Sequence, residues 1–538
     1  MTVSQKAWPD LRYKAAGCAD TPGVSAESAS SVYPFLYSGG RRRPLPVSFV
    51  LGAVLTSVLM ALAVAGSYLM WFTNVYENMI HAPMQYVEGS EFMSSWLSPP
   101  FGPTTKLYLY NYTNVEDFMA GRASRLRVQE LGPYSYAETL EHVNVRFNDN
   151  DTMTFKEKRA YTFLPEISAG SEGDIIVVPN LPLICAIARV RDEPYVAQLG
   201  LRSALWASGG SPFNKLVVRD YLFGYNDTFY NMAKAAVEVA TGGTLPKLGM
   251  LAPRTGLSSN VYTVATGRQD YNLQDRVVRL NGKADLGAWR DPQCNSIEGS
   301  AGTFFPAEAA RRREPLHIVN ADVCRRIRLE FKREVTVMDG IPALRYGPPD
   351  DFLDNAEDNP DNACYTTASY SGVPSGVLLN GPCFMDSPSF ISFPRFYLGD
   401  PRLRAAVDGI EEPVKELHEM YFDVHPELGV NLGTAMRMQV NVMVRKADLL
   451  SSYLTQFEDN TILPVLWFET VMTDFPEDVR TATWHATYTV RTVERAVRYG
   501  LPLLAVVCAA VLARLALGWS RGRGRLSALY QAADGELH

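Results

Sequence analysis

Cysteine is the residue type in this chain whose spacing points to covalent chemistry. Of the seven cysteines, one lies near the N terminus, one in an apolar run near the C terminus, and five between residues 185 and 383. Cys185 stands in the apolar run LPLICAIA, which is typical of a buried free thiol that packs as a small apolar side chain. The other four predict two disulfide bonds, and three connectivities are open at this point: Cys294, Cys324, Cys364 and Cys383.

Three asparagines occupy N-glycosylation sequons of the form Asn-x-Thr. They are Asn111, Asn150 and Asn226. Because this modification belongs to surface loops of secreted or exoplasmic segments, the sequons predict that the middle of the chain is extracellular or luminal. Disulfide bonds persist in the same compartments.

Signatures of catalysis are absent from the sequence. It contains no Walker-type phosphate loop, no Gly-x-Ser-x-Gly and no His-Glu-x-x-His. The segment HEMYFDVHPE comes nearest to a metal cluster, but its spacing fits no helical zinc pair, so we expect ordinary structural residues at His418, Asp423, His425 and Glu427. The basic run CRRIRLEFKR, residues 324–333, could hold an anion but is more typical of a solvated face. We predict no catalytic residue, no metal site, no cofactor and no enzyme.

The overall composition excludes two further classes of protein. Of the 538 residues, 47% are hydrophobic and 20% are charged, which supplies a large core and excludes a disordered chain. The 51 basic and 58 acidic side chains give a net charge of -7. A nucleic-acid partner is therefore not expected, because such binding needs a basic surface that neutralises phosphates.

Two apolar segments near the chain ends predict membrane spans. Residues 47–72 pass without a charged side chain. As a helix these 26 residues would extend about 39 Å, more than the hydrocarbon core of about 30 Å. Residues 499–519 form the second predicted span, although Arg514 interrupts it and the charge-free part also fits a buried core helix. Tyr499 and Trp519 stand where interfacial aromatic side chains are expected.

The positive flanks of the two spans predict their orientation. Arg41, Arg42 and Arg43 precede the first span, and three arginines follow the second within residues 520–538. Since positive flanks face the cytoplasm, both tails, 1–46 and 520–538, are predicted to be cytoplasmic. A basic cluster just before the second span argues the other way: Arg491, Arg495 and Arg498. The predicted location is the plasma membrane or an endosomal or lysosomal membrane.

The segment between the spans, 73–498, is long enough for a globular domain. Residues 74–96 have the apolar spacing of a short amphipathic helix near the headgroups. Alternating β-branched and aromatic runs predict antiparallel strands, and 183–207 and 215–240 predict helices. The predicted strands are 106–113, 127–139, 142–148, 152–163, 174–180, 261–267 and 437–444.

Several ordered blocks resemble the class B scavenger receptor family over most of residues 47–519. They include ELGPYSY (130–136), TGLSSNVYTVATG (255–267), CNSIEGSAGTFFP (294–306), DVCRRIRLEF (322–331), DNPDNACY (358–365), FPRFYLGDP (393–401) and GIEEPVKELHEMYFDVHPELG (409–429). The resemblance implies a mixed, β-rich fold: an antiparallel β-barrel ectodomain with an apical helical bundle, at about 183–240 here, anchored by two transmembrane helices. It also implies an apolar tunnel that leads through the barrel toward the bilayer.

The resemblance further selects residues for particular roles. It pairs Cys294 with Cys364 and Cys324 with Cys383. Arg189, Arg191 and Arg202 become candidates to meet an acidic partner or a lipid carboxylate at the apical helices, with simple solvation of a helix as the alternative. Arg395 departs from the family, which usually has His at this position.

Our functional hypothesis from the sequence is a membrane receptor that binds hydrophobic ligands and passes them through the tunnel to the membrane. The ligands would be fatty acids, sterols, carotenoids or lipoprotein lipid. The alternative is an endosomal or lysosomal cargo receptor that binds a soluble protein through its apical helices. An ion-channel subunit is disfavoured because the first span has no ionisable side chain, and a hydrolase because no nucleophile with a base is visible. Association into homo-oligomers is left open.

Overall fold

A computed structural model describes residues 47–384, 386–472 and 475–535. The predicted N-terminal tail, 1–46, with its three arginines, lies outside the described residues, as does the end of the C-terminal tail. The chain divides into two compact units, one of which is Met60–Val507, while the other comprises the two chain ends, up to Leu59 and from Cys508 onward.

Among the described residues, the helices of eight or more residues lie in three parts of the sequence: the two ends and the stretch around residues 181–241. Shorter helices lie between them. In chain order the helices are α1 (Val47–Phe72), α2 (Val75–His81), α3 (Glu91–Leu97), α4 (Val115–Met119), α5 (Leu181–Val190), α6 (Tyr195–Ser208), α7 (Val218–Phe223), α8 (Thr228–Thr241), α9 (Ala307–Arg311), α10 (Pro401–Ala405), α11 (Lys415–His418), α12 (Glu477–Trp484) and α13 (Val490–Gly535). A π-helical turn, His485–Thr489, joins α12 to α13 without a break.

The strands carry most of the β-branched and aromatic runs of the sequence. They are β1 (Thr104–Tyr112), β2 (Leu126–Asn148), β3 (Thr152–Phe163), β4 (Ile175–Pro179), β5 (Phe213–Val217), β6 (Gly256–Leu257), β7 (Tyr262–Ala265), β8 (Val277–Leu280), β9 (Leu316–Asn320), β10 (Arg325–Val337), β11 (Ile341–Gly347), β12 (Leu378–Leu379), β13 (Ser389–Ser392), β14 (Val407–Asp408), β15 (Tyr421–Val424), β16 (Asn431–Val444) and β17 (Thr461–Met472). Two predicted strands, 127–139 and 142–148, are one continuous strand, β2.

One sheet with the order β8-β7-β3-β2-β1-β17-β16-β15-β11-β10-β9 forms the body of the domain. Its neighbours along this path are antiparallel, as the close spacing of the predicted strands indicates. The central strand β16 is buried along almost its whole length, because β13 pairs beside it and further segments cover its outer face. The predicted antiparallel β-barrel is thus confirmed.

A short segment around Ser300 joins the two edges of this sheet. Ser300 pairs with Arg276 beside β8 and with Ile318 in β9. Its main-chain N–H donates to His317 O at 2.9 Å, and its carbonyl accepts from Val319 N at 2.9 Å. The barrel is therefore nearly closed, with one bridging segment between its first and last strands.

The helices α5, α6 and α8 pack against one another, and we call them the apical helices. Asn180 caps α5 by accepting from Leu183 N at 3.2 Å, and Asp227 caps α8 by accepting from Tyr230 N at 2.8 Å. The predicted helix 215–240 is wrong at its start, because residues 213–217 pair with β4 in a two-stranded sheet. Its β-branched and aromatic residues favour this pairing over a helical turn.

The two terminal helices α1 and α13 contact each other near the end of α1. The Trp71 indole donates to Arg498 O at 3.1 Å, and the rings of Trp71 and Tyr499 lie edge to face at 5.8 Å. Within the described residues, both Val47–Phe72 and Glu477–Arg525 are long and apolar enough to cross a membrane. The prediction of two membrane-anchoring helices is confirmed, and the second helix begins well before residue 499.

The predicted amphipathic helix 74–96 is broken into α2, a single 3₁₀ turn and α3. Pro83 stands in the first turn of the 3₁₀ segment, and Gly89 has a positive φ of 77° before α3. Tyr86 belongs to the apolar face of the predicted helix, yet it is fully buried and donates to the Asp275 carboxylate at 3.1 Å. This segment therefore packs into the barrel domain at Tyr86.

Candidate ligand cavity and apical surface

A cavity of about 230 Å³ lies between α5 and strands β16 and β17. Alternate residues of β16 point into it, as the period of two in a strand requires. Its walls are mostly apolar. The lining residues are Leu181, Cys185, Met250, Arg254, Asn320, Asp322, Val323, Asn380, Phe384, Ser387, Ser389, Ile391, Met436, Met438, Val440, Asn441, Val442, Val465 and Phe468.

Among the lining residues, Arg254, Asp322 and Asn380 form the charged and amide part. Arg254 Nε lies 3.2 Å from the Asp322 carboxylate. Asp322 and Phe384 are 45% and 42% exposed, so the cavity reaches the protein surface beside them. The arrangement suits an amphipathic ligand, with one polar group and an apolar chain.

Cys185 lines this cavity as a free thiol. Burial raises its pKa to about 12, so the thiol stays protonated and is a poor nucleophile. It acts as a small apolar wall residue, as its sequence context indicates.

The four remaining cysteines of the domain are joined as Cys294–Cys364 and Cys324–Cys383, the pairing that the sequence resemblance implies. Both pairs have Cα atoms 5.9 Å apart, within the range of a disulfide. They close loops of 70 and 59 residues in sequence separation. Each contributes about 4 kcal/mol to stability in the chain-entropy model.

Arg325 lies between the two disulfides and is fully buried. Its guanidinium stacks 3.8 Å from the centroid of Tyr365 and 4.7 Å from that of Trp289, and it donates to Leu379 O at 2.6 Å. The basic run that begins at Cys324 is therefore not uniformly solvated. Arg326 and Arg328 line a second, polar cavity of about 400 Å³ together with acidic side chains.

Two of the three apical arginines are already neutralised within the chain. Arg189 pairs with Asp386 at 3.2 Å, and Arg191 donates both to Asp459 Oδ1 at 2.9 Å and to Oδ2 at 2.7 Å. Arg202, exposed on α6, forms no ion pair with any residue that the structure describes. It is therefore the one of the three best placed to meet an external anion.

Residues 56–516 match the CD36 family. The chain belongs to the CD36 family. It is 31% identical to scavenger receptor class B member 1 of Rattus norvegicus, over 70% of this chain and 71% of that protein. It is also 30% identical to lysosome membrane protein 2 of Homo sapiens, over 70% of this chain and 76% of that protein. Membership of this family of membrane receptors agrees with the prediction that the chain is not an enzyme.

Arg395 departs from the pattern that the sequence resemblance sets for CD36-family chains, and its surroundings show what it does here. Its guanidinium donates to both carboxylate oxygens of Glu130, at 2.8 and 3.0 Å, and lies 2.8 Å from the Glu411 carboxylate. The indole of Trp467 donates to the same Glu130 at 3.0 Å. Glu130 belongs to the ELGPYSY block, so the arginine ties two blocks of the sequence together.

The three sequons of this CD36-family chain differ in exposure. Asn150 lies exposed in the turn between β2 and β3, where its side chain accepts from Thr152 Oγ1 at 2.7 Å. Asn226 is exposed just before α8. Asn111 lies half-buried in β1 and accepts from Val177 N at 2.8 Å. Asn150 and Asn226 are the more accessible acceptors.

The four residues of HEMYFDVHPE do not converge. His418 hydrogen-bonds the main chain of Val414, and Asp423 accepts from Arg345 through both oxygens at 2.7 Å. His425 and Glu427 bind residues of the α12–α13 segment. The described part of the chain holds no group of three or more His, Cys, Asp or Glu side chains placed to bind a metal.

Sequence reasoning missed the polar residues of the cavity. Arg254 precedes a recognised block and Asn380 stands between two others, but a single Arg or Asn carries no pattern of its own. The partners Asp386 and Asp459 were missed for the same reason, because each lies far along the chain from the arginine that it neutralises.

Proposed function

We propose that this CD36-family protein is a two-pass membrane receptor that binds hydrophobic ligands and passes them through its barrel to the membrane. The ligands would be fatty acids, sterols, carotenoids or lipoprotein lipid. The observation that carries the proposal is the largely apolar cavity beside strands β16 and β17 of the barrel, which reaches the surface beside Asp322 and Phe384.

A passage through the barrel lowers the barrier to lipid transfer. Each methylene group that would otherwise cross water costs about 0.8 kcal/mol. The cavity of about 230 Å³ is smaller than the 300–1,000 Å³ of typical ligand sites, so it holds one end of a lipid rather than a whole molecule. Transfer of a complete lipid therefore requires the barrel to widen further along the path.

Lipid loading of the delipidated protein tests this function. The full chain is stripped of lipid, incubated with a mixture of fatty acids, sterols and carotenoids, and the retained lipid is extracted and identified by mass spectrometry. We expect retention near one molecule per chain. No stoichiometric apolar ligand under any loading condition would overturn the proposal.

A substitution that fills the cavity provides the matched control. Cys185→Phe places a ring in the cavity and should lower the retained lipid. Val196→Phe adds the same ring on α6, where Val196 is 78% exposed, and should leave retention unchanged. Equal retention by both variants would place the bound lipid elsewhere.

The proposed topology places both termini in the cytoplasm and the domain on the extracellular or luminal side, at the plasma membrane or at an endosomal or lysosomal membrane. It is supported by the positive flanks of the two spans and by three sequons between them. The proposal includes glycans at Asn111, Asn150 and Asn226.

A second candidate function is capture of a soluble protein by the apical helices, for transport to endosomes or lysosomes. It is favoured by α6, where Tyr195, Leu199 and Trp206 are exposed along with Arg202. Arg202→Glu should then abolish pull-down of luminal proteins. Arg189→Glu is the matched control, because Arg189 already pairs with Asp386. Unchanged pull-down by Arg202→Glu would reject this function.

A further inference from the structure

Asn380, a residue of the cavity lining, has an unused hydrogen-bond acceptor in its side chain. Asn380 is 3% exposed and lines the cavity. Its main-chain N–H donates to Ser389 O at 2.8 Å and its main-chain carbonyl accepts from Cys383 N at 3.1 Å. Its side-chain Oδ1, by contrast, is buried and accepts from none of the described residues. A buried acceptor in this state is costly, so it favours a ligand that brings a donor.

Arg254 presents an unused donor to the same cavity. Its Nε lies 3.2 Å from Asp322 Oδ2, but without the alignment of a hydrogen bond. The N–H therefore has no hydrogen-bond acceptor among the described residues. Donor and acceptor stand in the lining of one cavity whose remaining walls are largely apolar.

The charges around Arg254 disfavour an anionic ligand. Asp322 already faces its guanidinium, and the charges of Arg159 and Glu138 also act on it. Arg159 in turn lies 3.5 Å from Glu138 and 2.7 Å from Glu157. Two arginines thus lie among three carboxylates, those of Asp322, Glu138 and Glu157. A ligand carboxylate would add a fourth negative charge without an unpaired cation to bind it, which disfavours an anionic ligand.

We propose that this cavity selects neutral lipids that bear a hydroxyl group over lipid carboxylates of the same chain length. The inference rests on the proposed function and names the chemical class of its ligand. The hydroxyl proton is donated to Asn380 Oδ1, the hydroxyl oxygen accepts from Arg254 Nε–H, and the hydrocarbon chain packs against residues such as Met438 and Val442. A carboxylate or an ether supplies no proton to Asn380.

Photolabelling with three matched probes tests the selection. Each probe is a hexadecyl chain with the same diazirine, ending in a hydroxyl, a methyl ether or a carboxylate, and is applied at neutral pH to the delipidated full chain in detergent. Cross-linked peptides are identified by mass spectrometry. We expect the alcohol to reach half-maximal labelling of the lining peptides at a concentration about tenfold lower than the ether or the carboxylate.

A variant at Asn380 assigns the effect to this side chain. Asn380→Leu removes the acceptor at similar size and should weaken labelling by the alcohol to the level of the ether, while labelling by the ether is unchanged. Asn231→Leu is the matched control, because Asn231 is exposed on α8 and outside the lining, and it should leave all three probes unchanged.

The outcomes separate the two proposals. Equal labelling by the three probes, or stronger labelling by the carboxylate, overturns the selection of hydroxyl lipids and leaves lipid binding by the cavity intact. Cross-links outside the lining for all three probes overturn the proposed function itself. If Asn380→Leu does not fold, the ranking of the three probes on the unmodified chain still tests the selection of hydroxyl lipids.

Discussion

At the scale of single residues, the pair Glu130–Arg395 shows how a departure from the family pattern fits the fold. The two side chains are 15% and 16% exposed and bind through two parallel hydrogen bonds. This pair holds its geometry better than a pair of Glu130 with a histidine at position 395 would. The guanidinium presents a planar fork of donors and stays charged, whereas an imidazole does not. Removing one partner leaves the other charge buried.

We expect Arg395→Met to lower the free energy of unfolding by about 3 kcal/mol, because Glu130 would lose its bidentate partner. Thermal unfolding of the full chain in detergent measures the change. Arg402→Met is the control: Arg402 is 77% exposed in its pair with Asp400, so its loss should change the free energy of unfolding much less than the loss of Arg395. Equal shifts for the two variants would contradict a structural role for Arg395.

Asp275 carries the most perturbed carboxyl group of the domain core. It is buried, and it accepts from Ser300 Oγ at 2.9 Å, Thr303 N at 2.8 Å and Tyr86 Oη at 3.1 Å. Burial raises its pKa to about 6, and the hydrogen bonds only partly offset this. The folded state therefore binds a proton at pH values where the unfolded chain has released it.

The raised pKa of Asp275 predicts a pH dependence of stability. The proton bound by Asp275 contributes about 3 kcal/mol to the free energy of unfolding. This contribution is complete below the ordinary pKa near 3.8 and is lost as pH rises through about 6. The stability of the unmodified chain relative to Asp275→Asn should therefore be greater at pH near 4 than at neutral pH. Thermal unfolding of both proteins across this range measures the difference, and a constant difference would contradict the prediction.

Single residues also mark the limit of what the sequence predicts. The disulfide pairs could be assigned from the family resemblance, because Cys294, Cys324 and Cys364 each belong to a recognisable block. Asn380 and Arg254 could not, because their role depends on which segments fold around one cavity. The apical arginines fall in the predicted helix 183–207, but the structure divides this stretch into α5 and α6 and places Arg191 just after α5. Their ion pairs with Asp386 and Asp459 depend on contacts between distant segments.

At the scale of elements, the junction of α12 and α13 ties the membrane helix to the barrel. The Thr487 hydroxyl donates its proton to Thr483 O at 2.7 Å. Its oxygen Oγ1 is therefore the acceptor in the hydrogen bond with His425 Nε2 at 3.0 Å. His425 Nδ1 in turn accepts from Glu427 N and Leu428 N, both at 3.1 Å. The neutral imidazole thus joins the loop after β15 to the π-helical turn, and protonation of Nδ1 would break both main-chain hydrogen bonds.

This junction should loosen in acid. Burial, with the nearby charge of Arg491, lowers the pKa of His425 to about 4. The stabilisation that the neutral imidazole gives to the folded state is therefore present above the ordinary pKa near 6.5 and is lost as pH falls through about 4. We expect amide exchange in residues 483–489 to increase about tenfold beyond the intrinsic rate change between neutral pH and pH near 4.

His425→Gln keeps a side-chain donor for Thr487 but does not titrate, and it should remove this pH effect. His485→Gln is the control, because His485 is exposed and hydrogen-bonds only Thr489 among the described residues. Protection of residues 483–489 that stays the same at both pH values in the unmodified chain would contradict the prediction.

The elements differ in how well the sequence predicts them. Strand β3 has the predicted bounds 152–163, because its polar and apolar residues alternate and turns flank it. Strand β17, TILPVLWFETVM, was missed: it is buried on both faces, so its apolar run lacks the alternation that identifies a strand. The split of 74–96 follows from Pro83 and Gly89 and from the burial of Tyr86.

At the scale of the whole molecule, a set of ion pairs connects the barrel domain to the segments next to the two long apolar helices. Glu427 links the base of the barrel to both membrane-proximal segments: it lies 3.1 Å from Arg311 and 3.5 Å from Arg491, while Arg311 lies 3.9 Å from Glu77. The domain is therefore held at both of its ends.

The proposed cytoplasmic location of both termini predicts the pattern of glycosylation. Asn150→Gln and Asn226→Gln should each remove one glycan, seen as a stepwise gain in electrophoretic mobility that glycosidase treatment abolishes. A sequon introduced after Arg525 is the control and should stay unmodified. A glycan at that introduced site would contradict cytoplasmic termini.

The bridge at Ser300 affects how large a ligand the barrel can hold. Most neighbouring strands are held by long ladders, whereas this line of the wall rests on a few hydrogen bonds of residues 299–301. The disulfides and the long strands resist stretching elsewhere. Under the proposed function, we therefore expect a ligand larger than the cavity to separate the barrel wall at this segment before it separates a long strand pair such as β16 and β17.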